Sequence, residues 1–547
     1  MLANFSNPKL TVIVLAFVFF MISSCSKTTE TEIITQENIK LNVQVIGITD
    51  VEDNQPMKSK ANNGALHQSQ GTEPISEKII PFQSFDTQVS IKKGSLDQAN
   101  TIVQSRRTGK VAAAGLKAAS APMEDGITYR LLIYKEDGSF VSSTLLTSEV
   151  LGEITLDRGE KYNWHAVSYH NSDPIPDVDS NTPELDVPEN TDLLYASGAI
   201  EVPAQAADDA VSLGILFEHK YARIALEINS MGMFGDMNNV GLHISGVSGA
   251  ESRINLSDGS LSNISSDPTT LSFDDFVNVD PLHADRKIAY IYTAVENPID
   301  LEVRINALDI QLVNGQNRVF ANLAESPAVF DFSLTPQIGT SYTATMNFIE
   351  SFLVVNTIRF ARTNLYYHGG HNPYRFLPTN EHTNARNTYF SFRGVLPGEY
   401  GNSLESGDPC ALVYPHGVWR TASFNNYRFI VPVYPIDTYK VENGLGYVEY
   451  EDTQGSGAPY SSDKLRFNMN GYGTAIGETN GEIEIDLTDT YGRIADLWTP
   501  FSDDYAGLGV YSYQATAAAG DNTVKELIDY QGDGPLITTF KNIRCVR

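Results

Sequence analysis

"ITYRLLIYKEDGSFVSS", residues 127–143, decides the fold class. Apolar positions alternate on each side of Asp137-Gly138, the expected pattern of a β-hairpin. Working outward, "IKLNVQVIGI" (39–48) alternates like a strand, and "KYNWHAVSYHNS" (161–172) reads as another. "LFEHKYARIALEINSM" (216–231) carries apolar residues in mixed alternation, with β-branched residues and no helix caps. "DLEVRINALDIQLVNGQNRVF" (300–320) is a strand and then a hairpin at Asn314-Gly315, and "SYTATMNF" (341–348) closes that unit. Few stretches keep a helical period over ten residues or more. Many short strands with regular turn signals predict β-sandwiches.

Between the strands lie two polar stretches. Thr49 to Glu77 is rich in Gly, Asn, Gln and Ser and reads as a loop. Asp173 to Asp192 holds Pro174, Pro176, Pro183 and Pro188 among acids, but lacks the Asp-x-Asp-x-Asp-Gly register of a calcium loop. A solvated loop is the expectation there.

The first residues read as targeting. Lys9 precedes an apolar run from Leu10 to Ile22, of secretory length and too short for a comfortable membrane span. It ends in Ile-Ser-Ser-Cys, residues 22–25, which resembles a bacterial lipobox. That resemblance implies a signal peptide over 1–24 and lipidation of Cys25, with 25–40 as a tether. Two or more acyl chains anchor stably where one does not. The expected location is the outer membrane, at the cell surface.

The 523 residues after position 24 are too many for one core and fit three domains. Lys and Arg total 38 against 67 Asp and Glu, a net charge of −29, which argues against nucleic acid as a partner. Composition shifts after about residue 352, where 18 of the 27 tyrosines and two of the three tryptophans lie. Rigid aromatic rings suit recognition surfaces and strand interiors alike. Cys410 and Cys545 remain as an even pair in an oxidising compartment, most simply a disulfide.

Two resemblances follow from these residues. "GITYRLLIYKEDGSFV", "LDRGEKYNWHAVSYHNSDPIP" and "LFEHKYARIALEI" stand in the order usual for the fimbrillin-like (Mfa-like) surface lipoproteins of Bacteroidales. The resemblance implies two transthyretin-like β-sandwich domains, 41–210 and 211–350, and a role in fimbriae or adhesion. From 351 to 547 the chain is similar to the FISUMP-type, C-type-lectin-like α+β domain. The marks are "IRFARTNLYYHGG", "YFSFRGVLPG", "DPCALVYPHGVWRTASFNNYR" and the terminal "KNIRCVR". This likeness independently implies a Cys410–Cys545 bond. The chain departs from the pattern at Ala422-Ser423 and in the reduced "IADLWT".

Candidate chemistry is sparse. His368, His371 and His382 cluster in "HGGHNPYRFLPTNEH", where His382 or Glu381 would have to fold round to complete a metal site; loop hydrogen bonding is the expectation. His165 and His170 sit on or beyond one strand, and His219 falls at a family motif position with a structural role. No metal or cofactor is expected. No nucleophile elbow, zinc or phosphate-loop motif is present. Formylglycine-generating enzymes share the lectin-like fold but need an active-site cysteine pair, so no enzyme is expected. Family pilins mature by cleavage after arginine, opening a groove for β-strand addition. "VQSRRTGKVAAAG" makes Arg106 and Arg107 the candidate processing site, in a small-residue stretch suited to a protease, with an uncut surface loop as the alternative reading.

The expected function is a lipid-anchored fimbrillin-like accessory, anchor or tip component, or an adhesin. Its partners would be the membrane, fimbrial subunits, and a glycan or host protein. The alternative is a monomeric surface glycan-binding lipoprotein in nutrient capture.

Overall fold

In a computed structural model of the chain, the structure describes residues 38–49, 74–82, 84–95, 120–178, 183–204, 210–247, 252–264, 268–399, 407–430, 439–455, 459–460, 463–479, 482–500, 510–517, 524–531 and 538–547. The chain is mainly β, of sandwich type.

The quoted hairpin is present. Thr128–Lys135 pairs antiparallel with Phe140–Thr147, and Gly138 takes the positive φ of +85° that the reversal needs. The alternation seen in the sequence is blurred for a physical reason. Only the strand's two end residues escape full burial, because both of its faces are covered. Tyr129, Leu131 and Ile133 face a core shared with Leu41, Val43, Trp164 and Phe217. Leu132 and Tyr134 face outward, into a second cluster with Tyr169, Ile175, Leu185 and Ile254. That cluster lies beneath a small sheet of Glu184–Val187, Ser252–Asn255 and Leu261–Ser262. Arg130, also buried, donates to Ile175 O at 2.7 and 3.2 Å, so the proline-rich loop is tied down onto the strand.

The hairpin belongs to an eight-stranded sheet. Asn38–Thr49 runs parallel to Ala210–His219 on one side. On its other side it is antiparallel to Gly152–Asp157 and Ser120–Ala121. The second unit stacks two sheets. One has the order Val277–Asp280, His283–Thr293, Ala222–Gly232, Thr340–Glu350, Phe85–Ser95, Ser76–Pro81. The other holds Thr269–Leu271, Gly235–Ser245, Ile299–Leu312, Asn317–Val319 and Ala328–Leu334. Between them lies a core that includes Phe85, Ile224, Leu226, Leu242, Val303, Phe330 and Met346.

Strand pairing redraws the expected boundary near residue 210. Ala210–His219, expected to open the second unit, completes the first sheet. The hairpin of Ser76–Pro81 and Phe85–Ser95, expected in the first unit, pairs with Thr340–Glu350 in the second. Sequence order alone carries no signal for such an exchange, since partner strands hundreds of residues apart share only their alternation.

Beyond residue 350 the chain forms short sheets. Phe352–Val355, Ile358–Ala361, Cys545–Val546 and Arg420–Thr421 make one, and Phe390–Ser391, Thr539–Lys541, Gly473–Thr479 and Glu482–Asp486 another. The α content among the described residues here is Phe424–Ile430. Ser423 sits just before it, and its hydroxyl accepts from Asn426 N at 3.4 Å. The departure at Ala422-Ser423 thus supplies a buried alanine and an N-cap serine. No helix among the described residues is long and apolar enough to cross a membrane.

Candidate functional site

The terminal "KNIRCVR" organises the C-terminal region. Lys541 Nζ pairs with Asp496 at 2.9 Å, both side chains almost wholly buried. Burial pushes the Asp496 carboxyl up, and Lys541 opposes that rise. Asn542 donates to Thr388 O and accepts from Asn470 Nδ2. Arg544 donates to Asn364 Oδ1, Ala361 O and Arg466 O at 2.9, 2.8 and 2.6 Å. Burial pulls its pKa down to about 9. Cys545 is bonded to Cys410, with Cα atoms 5.7 Å apart. Ile543 and Val546 are core residues. Trp419 packs edge-on against Phe376 at 4.9 Å and lies beneath Arg547.

Arg547 also reaches out of its own region, to Asp86 at 2.6 Å. This is one of several contacts that fix the C-terminal region on the second sandwich. His371 Nε2 donates to Asp285 at 2.7 Å, and its ring stacks on His283 with centroids 3.7 Å apart. Tyr414 Oη donates to Asn347 and accepts from Asn229. Arg362 and Arg318 lie over the ring of Tyr460, and both reach the buried Glu350. Gly232 admits this approach: a Cβ there would stand 2.3 Å from Phe348 O and 2.9 Å from Tyr414 O. The junction is close-packed and polar.

Among the described residues of this half, three clefts are lined as follows. The largest, about 660 Å³, is lined by Asn384, Arg386, Thr479, Glu482 and Glu484 over Ile483 and Ile485. Arg386 pairs with Glu482 at 3.3 Å. A second, about 430 Å³, lies at the junction between Phe82, Phe352, Arg359 and Asp452. A third, about 340 Å³, is bounded by Arg393, Asp408, Thr421 and Trp498. Asp408 is already engaged by Cys410 N, Thr421 N and Thr421 Oγ1.

The structure separates the histidines that cluster in sequence. His371 points to Asp285, His382 Nε2 donates to Gly446 O at 2.8 Å, and His368 packs on Tyr366. Among the described residues no group of three or more His, Cys, Asp or Glu is placed to hold a metal. His170 and His219 converge instead on one carboxylate, Asp192, at 2.9 Å each. Burial would raise the Asp192 pKa, but the two imidazole hydrogen bonds hold it well below the usual range. Sequence reading missed this trio, because nothing in the spacing marks Asp192 as their meeting point. Cys25, Arg106 and Arg107 lie outside the described residues.

No family model matches the chain, and no curated protein matches it. Among solved structures, a candidate cell adhesion protein of Bacteroides fragilis aligns at 12% identity and TM-score 0.28, over 45% of this chain and 94% of that one. The fimbrial anchor protein Mfa2 of Porphyromonas gingivalis aligns at 15% and 0.23, over 40% and 76%. A candidate polysaccharide-binding protein of Bacteroides thetaiotaomicron aligns at 13% and 0.22, over 36% and 73%. At such scores the likenesses carry no argument, and the functional reading rests on the chain itself.

Proposed function

We propose that this chain is a lipid-anchored cell-surface protein of fimbrillin-like type, serving as a fimbrial accessory, anchor or tip component or as an adhesin. Lipidation at Cys25 holds it to the outer membrane. The two sandwiches form a stalk, and the disulfide-closed, lectin-like C-terminal domain meets a glycan or protein ligand. The observation that supports the reading is the close-packed junction around Arg547–Asp86, where the C-terminal region meets the second sandwich. A load on that domain passes into the stalk through packed side chains.

The test is a glycan and host-protein array probed with residues 26–547, with and without an antibody fragment against the C-terminal domain. Saturable binding that the fragment blocks is expected. Long homopolymers of the purified protein in electron micrographs would contradict the accessory role and indicate a shaft subunit.

A further inference from the structure

Two strands upstream of the Arg106-Arg107 stretch hold interior positions, one in each unit. Asn38–Thr49 is paired along both edges, with Ile39, Leu41, Val43 and Ile48 buried in the first unit. Phe85–Ser95 lies between Ser76–Pro81 and Thr340–Glu350, in register from Phe85 opposite Glu350 to Ser95 opposite Thr340. Its Phe85, Val89 and Ile91 are core residues, and Phe85 packs against Phe320 and Phe348 at 5.5 and 5.2 Å. The same strand carries Asp86, the partner of Arg547. One stretch of chain therefore engages the first sheet, the second sandwich and the C-terminal region.

We infer that the segment through Ser95 is a permanent structural staple, and that a cut between Ser95 and Ser120 leaves a two-piece protein that stays together without a covalent link. Hydrolysis of one peptide bond there, with water adding across it to leave a carboxylate and an amine, removes none of the described strand pairings. Departure of the upstream piece would strip backbone partners from Ala210–His219 and Thr340–Glu350 and open two apolar cores to water at once. Processing at Arg106 or Arg107 would then neither release the body nor clear a groove in either sandwich. The two-piece complex does not depend on the lipid; retention of the cut body on a membrane rests additionally on the lipid-anchored reading.

The test replaces residues 104–109 of the 26–547 protein with the recognition sequence of a specific protease and cuts it to completion. Two bands on a denaturing gel and one native particle of unchanged mass by size-exclusion light scattering are expected. Separation of the upstream fragment in native buffer would overturn the inference. Co-expression of 26–106 with tagged 107–547 gives an independent readout: co-purification supports the staple, and separate recovery overturns it. Neither form carries a lipid, so failure here is distinct from failure of lipid anchoring.

Discussion

Arg547 donates to Asp86 across 2.6 Å, joining residues 461 positions apart in the chain through side chains only 7% and 6% exposed. Burial pulls the guanidinium down to about 10, with the carboxylate opposing the fall. Removing one partner of such a pair strands a buried charge and costs about 3–5 kcal/mol, whereas replacing both by neutral groups costs far less. Arg547→Met is therefore expected to lower the urea midpoint of the full-length protein strongly, and adding Asp86→Asn is expected to recover much of the loss. Equal midpoints for the single and double variants would show that the pair is not coupled.

Gly232 offers a steric test of the same junction. A methyl group there meets two backbone carbonyl oxygens, which have no rotamer to yield. Gly232→Ala is expected to cost about 1–3 kcal/mol and to speed hydrogen exchange around His371 and Tyr414. Unchanged exchange in both segments would argue against the close packing.

The Asp192 trio predicts a pH dependence. Its folded-state pKa lies below the unfolded value of about 3.9. The stabilisation is thus fully present above that value and is lost progressively as pH falls beneath it. Melting curves between pH 6 and pH 2 should show an acid-side drop that Asp192→Asn diminishes. An identical acid profile in the variant would mean that this carboxylate does not set the acid response.

The Cys410–Cys545 bond closes a separation of 135 residues. Loss of a native disulfide costs roughly 2–5 kcal/mol. Cys410→Ser should melt lower than the wild type, and reductant should lower the wild type toward the variant while leaving the variant unmoved.

Local signals in the sequence were legible and long-range ones were not. Asp137-Gly138 and the flanking alternation marked a hairpin because turn geometry and side-chain period are properties of adjacent residues. The cysteine pair was legible because only two candidates remained. The exchange of Ala210–His219 and Phe85–Ser95 between units escaped, since a strand's alternation does not name its neighbour. Asp86 and Arg547 each look like ordinary surface charges in sequence. Their pairing depends on how the C-terminal region packs against the second sandwich, and no local pattern encodes it.

The most direct test of surface anchoring is labelling of growing cells with a palmitate analogue, comparing the wild type with Cys25→Ser. The expected wild type is labelled, partitions with membranes, and has its C-terminal region digested by protease added to intact cells. The expected Cys25→Ser form is unlabelled and leaves the membrane fraction. An unlabelled wild type, or a variant that still carries label and membrane, would contradict lipid anchoring at residue 25.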